Sequence, residues 1–197
     1  MSRQIQAQTG RDGEAELYRR VCRGDAAAFE RLCMTVEAPL FNYLVRMVRD
    51  RPEAEDLAQE SVLRLFRACR NGQAAPDKGS ARSLLFSIAH NLAVDWLRRQ
   101  SRGLPNDSAP PAPAQASAQA EQFLLREQID RALASLPPTH RSALTLRAFG
   151  ELSYAEIAAI LDTNEGVVRT WIYRARQRMA ELLDRDGQYI GDQNHGV

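Results

Sequence analysis

Apolar residues recur along this chain at intervals of three and four, the spacing that lines up side chains on one face of a helix. Ala58, Val62, Leu65, Phe66 and Cys69 form one such face. It follows Asp50 and Glu53, which read as a capping box, with Pro52 in the first turn where its missing N–H is not needed. A second face runs through Leu85, Ile88, Ala89, Leu92 and Trp96, and a third through Leu125, Ile129, Ala132, Leu133 and Leu136. Pro137–Pro138 ends that third helix and starts another. No alternating stretch is long enough to predict a strand, so the expected fold class is all-α.

The pattern is most detailed near the C-terminal end. Ser153 and Glu156 form an S-x-x-E capping box that opens a short helix through Leu161, with Ile157, Ile160 and Leu161 facing inward. Asp162-Thr163-Asn164 is a tight polar turn that supplies a cap for the next helix. There Val168, Ile172, Ala175 and Met179 share one side, while Thr170, Tyr173 and Gln177 point the other way, flanked by Arg169, Arg174 and Arg176. The stretch GVVRTWIYRARQR (166–178) holds four arginines, two aromatics and no acid. Charge alone would describe a solvated surface helix. The capping box, the turn and the uncharged outward row describe a helix-turn-helix whose second helix enters a major groove. Gly166 is expected to let the backbone approach a phosphate closely.

One segment breaks the helical pattern. PNDSAPPAPAQASAQA, Pro105–Ala120, carries four of the nine prolines, six alanines and no aromatic or large aliphatic residue. It cannot bury apolar area and reads as a flexible, partly extended Pro/Ala-rich linker. Two small helical domains follow, 13–103 and 121–186, joined by the linker 104–120. Residues 1–12 are expected to be a disordered N-terminus and 187–197 a loose C-terminal tail.

Composition narrows the function. With 197 residues, 44% of them hydrophobic, the chain can bury a core, and its net charge of +1 means that an anionic partner must meet local patches. Cys22, Cys33 and Cys69 are widely spaced and lack a C-x-x-C pair, so they read as ordinary thiols of a reducing compartment. His90, His140 and His195 lie on different elements without metal-ligand spacing, and neither a nucleophile elbow nor a phosphate-binding glycine loop is present. No metal, no cofactor and no enzymatic activity are expected. The opening residues lack a secretory apolar core, and no apolar run approaches the roughly 18 residues of a membrane span. A cytoplasmic protein without membrane insertion is expected.

Three motifs in this order resemble one family, the bacterial RNA polymerase sigma factors of the extracytoplasmic-function (ECF) type. They are PEAEDLAQESVLRLF, FSIAHNLAVDWLRR, and the block LPPTHRSALTLRAFGELSYAEIAAIL continued by GVVRTWIYRAR. The resemblance spans about Gly24 to Leu183 and implies two helical domains, called regions two and four. It implies that Glu53, Asp56, Gln59, Glu60 and Leu63 dock on the clamp helices of the largest subunit of core RNA polymerase. Carboxylates and an amide around a leucine suit a partner that presents arginines. The flap of the second-largest subunit and an anti-sigma factor are further implied partners.

For promoter DNA, the resemblance implies that the loop Asn71–Ser83 and the helix after it open the minus-ten element. Lys78, Arg82, Arg98, Arg99 and Arg102 would neutralise phosphates, Asn71 or Asn91 would bond a base edge, and His90 would lie on the DNA side. Asn91 and Asp95, one turn apart, could instead satisfy each other. Arg169, Thr170, Tyr173, Arg174, Arg176 and Gln177 would read the minus-thirty-five element. The chain departs from the family at Ala81, Leu84, Ser87 and His90, where aromatic and basic residues are usual, at Trp171, where arginine is usual, and at Glu165. A conventional helix-turn-helix repressor or activator is the alternative, but it leaves the acidic helix and the polar loop unexplained.

Overall fold

The computed structural model describes the backbone of residues 13–74, 79–101 and 117–193, with side chains for all of these except 117–124 and 185–193. Among the described residues there are eight helices and no strand. They are α1 (13–22), α2 (Ala26–Val48), α3 (Arg51–Arg70), α4 (Ala81–Gln100), α5 (Ser117–Ala134), α6 (Pro138–Phe149), α7 (Tyr154–Ile160) and α8 (Glu165–Gln193). Contacts divide the chain into two units, Met1–Asn106 with Phe149–Leu152, and Asp107–Ala148 with Ser153–Val197. Residues 117–120, expected as linker, are the first turn of α5, and α8 runs through residues 187–193, expected as loose tail. Residues 1–12, Lys78 and Arg102, the linker residues 104–116, and 194–197 lie outside the described residues.

In the first unit α2, α3 and α4 pack pairwise. Leu32, Leu40, Tyr43 and Leu44 of α2 are buried with Leu65 of α3 and with Leu85 and Phe86 of α4. Tyr43 and Phe86 meet edge to face, 5.4 Å between ring centroids, the geometry that aromatic quadrupoles favour. Helix α1 contributes buried Tyr18 and Val21. Asp50 caps α3 by accepting from the Glu53 N–H at 3.1 Å, but only that half of the expected box forms. The far end of α3 closes through Gly72 at φ +68°, with Gln73 N–H bonded to the Ala68 carbonyl at 2.9 Å. That left-handed position is one a glycine takes without a Cβ penalty.

The buried face of α3 is rotated from the expected one. Ala54, Leu57, Ser61, Leu65 and Cys69 are buried, whereas Ala58, Val62 and Phe66 are half-buried. Ser61 is tolerated inside because its hydroxyl donates to the Leu57 carbonyl at 2.6 Å.

His90 is also displaced from its expected place on the DNA side. It is buried, and its Nδ1 shares a 2.9 Å hydrogen bond with the Tyr43 hydroxyl. Position 90 follows Phe86 and Ala89 on the inward face of α4, so the core takes the imidazole. Burial there pushes its pKa down from the usual 6.5 to about 4.

In the second unit α8 packs against both α5 and α7. Leu133, Leu136 and Ala175 make a buried cluster flanked by Ile129, Leu144 and Met179, and Ile157, Val168 and Ile172 are buried as well. Leu125, expected on the inner stripe of α5, is 52% exposed. Pro138 is the first residue of α6, and the Pro137 carbonyl accepts from Arg141 N–H at 3.0 Å. The Ser153–Glu156 capping box forms in both directions. Helix α7 then ends with Asp162 at φ +50° and Thr163 N–H bonded to the Ala158 carbonyl at 2.9 Å. Asn164 starts α8, its side-chain oxygen accepting from Val167 N–H at 3.1 Å.

Two outcomes are expected. Folded His90 stays neutral down to about pH 4, whereas in the unfolded chain it takes a proton near 6.5. The unfolded state therefore binds more protons between these values, and acidification from pH 6.5 to 4 removes about 3 kcal/mol of stability. Urea unfolding of the protein and of His90→Gln across this range should diverge by that order, with the variant less pH-sensitive; parallel curves contradict the burial. Asn164→Ala should cost about 1 kcal/mol in unfolding of the second unit, read by thermal denaturation, because it strips the cap from α8.

Candidate functional site

Helices α2 and α3 leave an open groove between them of about 730 Å³, lined by Cys33, Glu37 and Phe41 from α2 and by Glu55, Gln59 and Leu63 from α3, among others. Ala58 and Val62, which are only half-buried, also line it. Of the five residues expected to meet a partner, Gln59 and Leu63 lie in this groove, and Leu63 is 48% exposed. Asp56 is exposed on the same helix and has no ion-pair partner among the described residues. Glu53 is half-buried at the first turn. Glu60 already pairs with Arg64 at 2.7 Å and faces Arg67 at 4.0 Å. The Arg64 hydrogen bond holds its carboxyl below the usual range. The α2 contributors were missed in the sequence because α2 was not recognised as a separate helix, although Leu32, Val36, Leu40, Tyr43 and Leu44 carry the helical period.

The expected minus-ten residues, at the end of α3 and on α4, give a mixed result. Asn71, Asn91, Arg98 and Arg99 are exposed. Asp95 faces Arg98 at 3.8 Å rather than pairing with Asn91. Arg82 is not open to a phosphate: its guanidinium binds the Glu14 carboxylate at 2.6 Å, with the two side chains 13% and 17% exposed. Burial works against that charge, but the Glu14 hydrogen bond and charge outweigh it and raise the Arg82 pKa. Sequence reading missed this because the partner lies 68 residues away, on α1.

The outward row of α8 is exposed as the period requires. Arg169, Thr170, Tyr173, Arg174, Arg176 and Gln177 are all exposed, while Val168, Ile172 and Ala175 are buried behind them. Tyr173, 65% exposed, is a large aromatic that its own domain does not use. Thr170 donates its hydroxyl back to the Gly166 carbonyl at 2.9 Å. Arg169 faces Glu165 at 3.5 Å. Gly166 sits in the first turn, where a Cβ would lie 3.3 Å from the Asn164 side-chain oxygen, a tight contact with the cap. Trp171 is half-buried, 6.3 Å from the His140 ring of α6. Slight burial, then the Arg174 charge, lowers the His140 pKa. No helix among the described residues is long and apolar enough to cross a membrane.

The two units correspond to known family descriptions. Sigma-70 region 2 matches residues 32–103, and Sigma-70 region 4 matches residues 126–179. The RNA polymerase sigma-H factor of Pseudomonas aeruginosa is 31% identical over 183 residues, covering 86% of this chain and 93% of the relative. The ECF RNA polymerase sigma-E factor of Salmonella typhimurium is 31% identical over 82% of this chain and 89% of its own length. The fold is shared with the sigma factor RpoE, solved in complex with the anti-sigma factor NepR from Bartonella quintana (TM-score 0.64, 24% identity, 79% of this chain and 96% of that one). Regions two and four in one chain distinguish it from a conventional repressor. By these matches the chain belongs to the ECF family of RNA polymerase sigma factors, and it is a transcription initiation factor.

Proposed function

We propose that the α2–α3 groove and the acidic edge beside it are the surface by which this sigma factor takes up core RNA polymerase, through the clamp helices of the largest subunit. The observation that carries the reading is the exposed Leu63 beside Gln59 and Glu55, in a groove whose apolar walls its own domain leaves open. An apolar anchor rimmed by carboxylates suits an amphipathic helix bearing arginines. Residues 13–103 form the body that meets polymerase and the minus-ten element, where the exposed Arg98 and Arg99 supply phosphate contacts and Asn71 or Asn91 a base contact. Residues 121–186 form the body whose α8 reads the minus-thirty-five element in the major groove and meets the flap of the second-largest subunit. The linker is the tether between these two sites, and an anti-sigma factor covers the same surfaces when transcription is not wanted. The chain acts in the cytoplasm with polymerase and performs no chemistry of its own.

The test is to place positive charge on the exposed edge. Asp56→Lys with Gln59→Lys should change stability by less than about 0.5 kcal/mol, since both positions are exposed. Meeting the partner's arginines with like charge should weaken core-polymerase binding by several kcal/mol, about a hundredfold or more. Titration of labelled protein with core enzyme, beside circular dichroism, reads both. Normal polymerase binding by a folded variant overturns the docking assignment.

A further inference from the structure

Glu165 is an acid at the leading end of an otherwise basic helix. It is the first residue of α8, its side chain is 51% exposed, and residues 166–178 after it hold four arginines and no acid. Glu165, Arg169 and Tyr173 follow one another at four-residue steps and share a strip of the helix. The first turn of a recognition helix is the part whose side chains reach base edges. A carboxylate there is repelled by every phosphate and gains only where the groove offers it a hydrogen-bond donor. In the major groove those donors are the amino groups of cytosine and adenine. The adenine group is flanked by acceptors on both sides, N7 and the thymine O4, whereas the cytosine group has one such neighbour, the guanine O6. Arg169 supplies what that O6 needs. Its guanidinium lies 3.5 Å from the Glu165 carboxylate, close to the spacing of about 2.9 Å between the cytosine amino group and the guanine O6 it pairs with. The Tyr154 ring, 4.4 Å away at its centroid, lies against one face of that guanidinium and leaves the in-plane N–H edge to meet a base.

We propose that Glu165 is a specificity-determining residue for promoter DNA: its carboxylate accepts from the N4 amino group of a cytosine, while Arg169 beside it donates to O6 and N7 of the guanine paired with that cytosine. The two side chains form an acceptor–donor couple that matches the donor–acceptor edge of one C·G pair in one orientation. In the reversed pair the carboxylate meets guanine O6 and the guanidinium meets an amino group, so both contacts are lost. An exposed pair of this kind contributes little to folding, which leaves both groups available to a base edge. The inference rests on the reading of α8 as the helix that enters the major groove.

The experiment assembles the full chain with core polymerase, lets the holoenzyme select from a pool of duplexes randomised in sequence, and sequences those retained. The unmodified protein should select cytosine at one position that depends on Glu165, by about tenfold or more over the other bases. Glu165→Ala should abolish that preference and leave the rest of the selected sequence as it was. Glu165→Gln should move the preference to adenine, whose N6 and N7 match an amide. Arg169→Ala should weaken the choice at the same base pair. Glu165→Ala and Arg169→Ala together should cost less on the selected duplex than the two changes summed. Circular dichroism checks that each variant folds. If Glu165→Ala tightens binding to all duplexes alike with no change of preference, or if Glu165→Gln still selects cytosine, the assignment is overturned and α8 keeps its place in the groove. If Thr170→Ala, Tyr173→Ala and Arg174→Ala together leave the selected sequence unchanged, the reading of α8 itself is overturned.

Discussion

The buried stripe of a helix fixes the direction of every other residue on it, and both bodies of this sigma factor depend on that constraint. Once Val168, Ile172 and Ala175 are committed to the core, α8 cannot rotate to hide Tyr173 or the arginines around it. Helix α3 is fixed in the same way by Ala54, Leu57, Leu65 and Cys69. Because it carries more apolar residues than one stripe needs, Ala58, Val62 and Leu63 are left lining a groove. A surplus apolar face on a helix that is already anchored suits a partner surface.

Arginine supplies nearly all the positive charge, and the structure sorts those arginines by what already holds them. Arg82 is tied to Glu14 in a partly buried pair, and Arg64 is tied to Glu60. Arg98 and Arg169 each face an acid at 3.8 and 3.5 Å on an exposed surface. Exposed pairs of that kind contribute little and give way readily to a phosphate, whereas freeing Arg82 would strand a carboxylate in a poorly solvated site. A chain of net charge +1 can thus offer an acidic-apolar surface on one body and a basic one on the other.

What was legible in the sequence was local. The S-x-x-E box at Ser153, the turn Asp162-Thr163-Asn164 and the stripe on α8 follow from helical periodicity and capping chemistry, and all form as read. The rest required contacts between distant segments. Periodicity on α3 fits two faces, and only packing against α2 and α4 selects the buried one. His90 looked available because histidine is often exposed, but Tyr43, 47 residues earlier, gives it a partner in the core.

The claim most open to direct measurement is that the α2–α3 groove is where polymerase sits. A benzoylphenylalanine photocrosslinker at Leu63, in the groove, can be compared with one at Met34, which is 68% exposed on α2 and does not line it. In holoenzyme assembled with core polymerase, irradiation should join position 63 to the largest subunit and leave position 34 unattached. Crosslinking from position 34 with none from position 63 would contradict the account.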